Sequence, residues 1–315
     1  MKTPTLRTST ISAKRSHNRF AYVLLLPALI LFFVAFVVPI VYSIVLSVFS
    51  RRSDGGGAFA PKQDVFVWFE NYAGVLADPT FWAGLQRLGI YSLFMVPILV
   101  ILSIALALLL DLPKVKLRAF SRMAIFLPYG VPSVIAALMW GFLYVPAISP
   151  IYQIGEAFGL DFPPLLRGDL IYTAIINVVL WGGIGFNTII VYTALQSLPK
   201  ELIDAARIDG CNEFTIARYV KLPHIVPATI LTGLFSVIGA LQVYSEPQML
   251  STLTTAINST FFPLMRVYRD AFAHDDLNSA ATASIILAVA TVLLSLLVVG
   301  IRTLITRRSS HAIQD

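Results

Sequence analysis

Side chains able to perform chemistry are few in this sequence, and they are scattered. The four histidines, His17, His224, His274 and His311, never fall into a His-Glu-x-x-His pair, the spacing that puts two imidazoles on one helix face for zinc. Cys211 is the only cysteine, which excludes an intramolecular disulfide and any multi-cysteine zinc or iron–sulfur centre. No Gly-x4-Gly-Lys-Ser/Thr phosphate loop and no Gly-x-Ser-x-Gly nucleophile elbow occurs. Two groups of polar residues remain. One is a charged segment, 197–224, containing Glu201, Asp204 and Asp209. The other comprises Trp181, Asn187, Gln242, Tyr244 and Glu246, set in or beside long apolar runs. Aromatic faces, amides and carboxylates of this kind stack and hydrogen-bond with polar ligands, and each also serves helix packing or interfacial anchoring.

The elements that must position these residues are membrane helices. Of the 315 residues 57% are apolar and only 13% charged, about half the roughly 25% charge of soluble chains. Six runs contain no Asp, Glu, Lys, Arg or His: 20–49, 88–110, 123–145, 170–195, 225–243 and 281–301. Roughly 20 apolar residues cross a bilayer core of ~30 Å, and a central charge costs about 2.5–3.5 kcal/mol on insertion scales. The expected fold is all-α and integral to the membrane, with six transmembrane helices over 20–301 between a basic tail, 1–19, and a tail at 302–315. The first run is too long for a signal's apolar region of ~7–15 residues, so it is expected to stay as an uncleaved helix bent or bounded by Pro27 and Pro39. With ionisable residues missing from span interiors, neither a proton relay nor ion coupling is expected. Energy for any transport must come from a partner.

Orientation follows from the basic residues. Segments 1–19, 111–122, 197–224 and 302–315 carry 16 Lys and Arg in 73 residues, against 7 in 99 for 50–87, 146–169 and 244–280. The positive-inside rule puts both termini and the 197–224 loop in the cytoplasm. The net charge of +6 thus reflects topology, and no nucleic-acid partner is expected. Of the outer loops, 50–87 opens with the flexible Asp54-Gly55-Gly56-Gly57. It then carries Phe66, Trp68, Phe69, Tyr72, Phe81 and Trp82, which suit a packed external cap or an interfacial belt. Between Thr255 and Ala273 an amphipathic stretch predicts a short surface helix or a re-entrant piece.

The loop 197–224 reads as a helix–turn–helix knob. Ser197 suits a helix start, Pro199 its first turn and Glu201 the positive end of its dipole. Leu198, Leu202, Ala205 and Ile208 follow helical spacing. Gly210 suits the left-handed residue that ends the helix, Asn212 a cap for a second helix toward Tyr219, and Pro223 the return to the membrane. A plain connector needs far fewer residues. The small Ala205, Ala206 and Gly210 allow close backbone approach by another protein.

This segment resembles the cytoplasmic signature of binding-protein-dependent ABC importer permeases: Glu-Ala-Ala, two residues, Asp-Gly, then Leu-Pro. Here it is Asp204-Ala205-Ala206, Arg207-Ile208, Asp209-Gly210 and Leu222-Pro223. Asp204 stands for the family's glutamate, Cys211 for the usual alanine and Ala217 for a frequent phenylalanine. Phe126-Leu127-Pro128 with Pro132 and Trp140, Ala194–Pro199, and Tyr268–Phe272 are similar to the carbohydrate-uptake branch, the maltose-type permeases. Leu253–Asn258 lacks the glycines and proline that the branch often has there.

The resemblance implies one of two homologous permease subunits, usually a heterodimer, in the plasma membrane of a prokaryote. Two ATPase subunits beneath hold Mg-ATP, and this chain binds no cofactor of its own. An external solute-binding protein delivers a sugar. Glu201, Asp204, Ala205, Ala206, Asp209, Gly210, Phe214, Leu222 and Pro223 then form the element that couples to the ATPase. Trp181, Asn187, Gln242, Tyr244 and Glu246 lie along the substrate route. Alternative readings are an ABC permease for another cargo, such as glycerol phosphate, and a multi-pass membrane enzyme acting on lipid.

Overall fold

The structure, a computed structural model, describes residues 17–53 and 62–311. Residues 1–16, the Asp54–Gly57 stretch and residues 312–315 lie outside the described residues. Helix α1 (His17–Phe32) contains Pro27 and passes through a π-helical turn, Phe33–Val37, into α2 (Val38–Ser47). The π-turn falls just before Pro39, whose missing amide breaks the regular hydrogen-bond ladder. Together α1 and α2 supply a candidate span, Tyr22–Ser47, whose most apolar stretch is exposed throughout and which buries Ser47 at its end.

A hairpin follows that apolar periodicity did not predict, an exception to the all-α expectation. Strands β1 (Phe49–Ser53) and β2 (Lys62–Phe66) pair antiparallel, with Phe49 opposite Phe66 and Arg51 opposite Asp64. Only Phe81 of the loop aromatics is fully buried, whereas Trp68 and Phe69 stay exposed. Packing into a closed cap therefore holds for part of this loop.

After α3 (Glu70–Ala77), Asp78 caps α4 (Pro79–Asp111) by accepting a hydrogen bond from the Thr80 amide at 2.8 Å. The second span is thus about two and a half turns of helix longer at its start than the uncharged run, because Arg87 and the preceding residues are helical too. Its residues Leu88, Tyr91, Met95, Leu99, Ser103 and Ala107 form one buried stripe at spacings of three and four.

The third apolar run is not one straight helix. Helix α5 (Arg118–Phe126) ends in a 3₁₀ turn, Leu127–Gly130, and α6 (Ser133–Leu143) leaves at 95°. Pro128 and Pro132 are the cause. Pro132 holds Val131 extended, at φ −83° and ψ 125°, as expected before a proline. Among the described residues, five helices are long and apolar enough to cross a membrane, or six when this bent pair counts as one.

Helix α7 (Pro150–Ala157) precedes α8 (Ile171–Gln196), which packs along α4. Next come α9 (Lys200–Ile208), α10 (Glu213–Ile216), α11 (Leu222–Leu241), α12 (Ser245–Leu250), α13 (Pro263–Tyr268) and α14 (Leu277–His311). Helix α13 is not a surface helix as expected. Phe262 and Met265 are buried in the main core, since α13 packs on α14 and α4.

The first span joins the rest at its end. The amides of Asn71 and Asn278 both donate to Phe49 O, at 2.7 and 2.6 Å, and reach Ser47 O and Leu46 O at 2.9 and 3.0 Å respectively. Leu46 and Ser47 lie in the last turn of α2, whose carbonyls lack the regular i+4 partner, and Phe49 opens β1, so the two asparagines tie the end of the span to α3 and α14.

Candidate functional site

The knob is ordered by local chemistry. Ser197, expected to start its first helix, instead ends α8: its hydroxyl donates to Ala194 O at 2.7 Å and lies 3.0 Å from His224 Nε2. Helix α9 starts after Pro199, whose fixed φ of −57° leads into Lys200. Glu201 stands in its first turn and Arg207 in its last, each matching the helix dipole. Asp209 follows the last helical residue, and Gly210 takes φ +82° with open space where a Cβ would sit. The backbone angle, not crowding, requires glycine there. Asn212 then caps α10, accepting from the Thr215 amide at 2.8 Å and its hydroxyl at 2.9 Å.

Arg207 ties the two short helices together. Its guanidinium contacts Glu213 at 2.9 Å and Asp204 at 3.4 Å. The hydrogen bond to Glu213 is the main cause that raises its pKa further above the ordinary arginine value. Around this staple the surface is open: Asp204 and Ala205 are exposed and Ala206 partly so. The apolar Leu202, Ile208 and Phe214 are 53%, 86% and 75% exposed.

The second helix of the knob does not close at Tyr219. It ends at Ile216 and runs through a π-turn, Ala217–Lys221, directly into α11, with Leu222 and Pro223 in that helix's first turn. The knob is therefore continuous with the fifth span. The π-turn also brings Lys221 inward, where its ammonium lies 2.6 Å from Asp111 Oδ2 and is almost fully buried. Gln196 donates to Asp111 Oδ1 at 2.9 Å. The ends of α4, α8 and α11 meet here. Sequence reading passed over this node, although Asp111 directly follows the second apolar run and Lys221 stands four residues before the fifth.

Higher in the bundle a cavity of about 680 Å³ brings together four of the five expected route residues: Asn187, Gln242, Tyr244 and Glu246. Trp181 is not among them. It packs edge-on against Trp140, ring centroids 6.1 Å apart, on the side of the main core. Tyr91, Tyr129, Ser133, Ser236 and Ser245 add to the polar lining and were not anticipated, Tyr91 because an aromatic within an apolar run carries no distinguishing signal. Two lining groups keep unused hydrogen-bonding capacity: the Tyr91 hydroxyl and Asn187 Oδ1 are buried without a partner. Asn187 Nδ2 donates to Gly183 O at 3.0 Å, which fixes the amide's orientation.

Glu246 sits just beyond the C-terminal end of α11, in α12. Burial pushes its carboxyl pKa up, partly opposed by its own backbone amide. Glycines shape the wall. Helix α8 stays continuous through Gly182, Gly183 and Gly185 rather than unwinding, and Gly183 and Gly185 face close neighbours while Gly182 meets open space. A Cβ at Gly185 would collide with the Ile125 carbonyl oxygen of α5.

A bundle of apolar helices with a projecting knob and a polar cavity is the arrangement of a membrane permease subunit. Residues 89–311 match the family model described as "Binding-protein-dependent transport system inner membrane component". The chain belongs to this family. It is 30% identical over 269 residues to the arabinooligosaccharides transport system permease protein AraP of Halalkalibacterium halodurans, covering 84% of this chain and 82% of that protein. It is 28% identical over 298 residues to the lactose transport system permease protein LacF of Rhizobium radiobacter, covering 92% and 96%. In fold it is similar to a chain of a bacterial ABC transporter that imports the acidic polysaccharide alginate, with TM-score 0.76 and 20% identity over 92% of this chain and 97% of that one.

Proposed function

We propose that this chain is one of two homologous permease subunits of an ATP-driven importer for a saccharide. A solute-binding protein outside the plasma membrane of a prokaryote delivers the cargo. Both termini and the knob face the cytoplasm, as the density of Lys and Arg in alternate connections supports. Two ATPase subunits hold Mg-ATP. When they close, the knob moves with them, and the bundle shifts between outward- and inward-open states that differ in nucleotide affinity. The names of the relatives support a saccharide cargo.

The observation that carries this reading is the tip of the knob. A rigid element capped at Gly210 and Asn212 and stapled by Arg207 presents Ile208 and Phe214 at 86% and 75% exposure. Apolar side chains held so far out on an ordered projection are suited to burial in a partner's groove. The roles follow from placement. Glu201, Asp204, Ala205, Ala206, Asp209 and Gly210 form the docking helix and its end, Phe214 an anchor, and Leu222 with Pro223 the root that passes motion into α11.

Purification of the tagged chain from its native membrane tests the reading. A nucleotide-hydrolysing subunit is expected to copurify from the wild type and to be lost from Ile208→Asp. Recovery of the intact chain with no such subunit, while the cells still import saccharide, would overturn it.

A further inference from the structure

The route cavity carries a single kind of charge. Among the described residues lining it, Glu246 is the only one with an ionisable acid or base of ordinary physiological range, and no lysine, arginine or histidine faces it. The remaining polar lining is neutral: serines, tyrosines and amides, among them Tyr91, Asn187, Ser236, Gln242 and Tyr244, supply hydroxyls and amide groups. Two of these keep unspent capacity, the Tyr91 hydroxyl and Asn187 Oδ1. At about 680 Å³ the space falls within the ~300–1,000 Å³ range of small-molecule sites. Apolar side chains such as Met95, Leu99 and Phe235 form much of the wall, so a charge inside is weakly screened.

We propose that Glu246 acts as a charge filter on the translocation route, admitting neutral or cationic polyhydroxylated cargo and rejecting anionic saccharides and phosphorylated polyols. This rests on the cavity being the route. A carboxylate accepts hydrogen bonds from vicinal hydroxyls, and the neutral amides and hydroxyls opposite it complete a polyol's donors and acceptors. An anion entering the same space meets like charge with no compensating cation. Glu246 touches cargo and sets which cargo passes; it has no part in the energy-coupling step.

Methanethiosulfonate probes of opposite charge test this in the assembled importer in nanodiscs at pH 8. Gln242→Cys is introduced in a Cys211→Ser background. Its labelling by the cationic ethylammonium reagent and by the anionic ethylsulfonate reagent is followed by peptide mass spectrometry. The cation-to-anion rate ratio at position 242 is expected to fall on the order of tenfold when Glu246→Gln is added, the scale of a nearby weakly screened charge. Glu246→Asp should largely retain it, which a merely structural role for Glu246 would not produce. An unchanged ratio in Glu246→Gln overturns the filter, as does wild-type import of a uronate or a phosphorylated polyol. Failure of the underlying reading looks different: the charge ratio behaves as expected, yet labelling position 242 leaves saccharide uptake intact.

Discussion

Lys221 Nζ lies 2.6 Å from Asp111 Oδ2, and the lysine is 3% exposed. The pair joins the last residue of α4 to the root of α11, and Gln196 of α8 holds the second carboxylate oxygen at 2.9 Å. Three spans are thereby fastened together at the base of the knob. Any force applied to the knob reaches the bundle through this node as well as along the helix backbone.

Removing one partner of this pair is expected to cost about 3–5 kcal/mol, because the other charge is left buried alone. Asp111→Ala should therefore melt well below the wild type in nanodiscs. A double variant, Asp111→Leu with Lys221→Met, should recover much of that loss. If the single and double variants melt alike, the pair does not act as a unit.

Gly210→Val puts a β-branched side chain at φ +82°, a strain on the order of 1–3 kcal/mol. The chain should still insert in the membrane, since the knob is distant from the spans' core, but saccharide uptake should be lost. Asn212→Ala removes a cap worth about 1 kcal/mol and should give a milder defect of the same kind. Uptake assays on membranes with matched permease content check both.

Ile208→Asp and Phe214→Asp alter side chains that are 86% and 75% exposed, so the melting of the isolated chain should barely move. Their binding to the ATPase subunits should weaken by roughly tenfold or more, the size of a hot-spot loss at an interface. Copurification against a fixed ATPase concentration gives the measurement. Equal loss of stability in the isolated chain would show that these residues pack within it.

Gly185→Ala forces a methyl group against the Ile125 carbonyl of α5. Overpacking of a backbone contact costs about 1–3 kcal/mol. Gly182→Ala, which meets open space, should be close to neutral, so comparing the two by thermal melting separates close packing from general helix effects.

The carboxyl of Glu246 has a pKa raised by burial. The folded state thus binds this proton more tightly than the unfolded chain does. Stability from this group is present below the ordinary glutamate value of 4.5 and falls as pH rises through the raised one. Relative to Glu246→Gln, the wild type should lose melting temperature over that window and run parallel to it above. A difference that stays flat with pH would count against the assigned environment.

Much of this architecture is legible in residue order. Asp111 bounds the second apolar run, and the backbone meaning of Gly210 and Asn212 survives into the fold because both depend on their immediate neighbours. What was not legible depends on distant contacts. Trp181 shares a span with Asn187, but only the position of Trp140 shows which faces the core. Pro128 and Pro132 announce a break without giving its 95° angle. Strands β1 and β2 are short and polar, so no period distinguishes them from loop. Tyr91 becomes a site residue only through the helices facing it.

The knob also bears on supply. On the proposed reading, a copy of this chain synthesised without ATPase subunits would display Ile208 and Phe214, 86% and 75% exposed, to water, and such a tip invites self-association or proteolysis. Cellular abundance of the permease is then expected to follow production of the ATPase, with orphan copies cleared rather than accumulated.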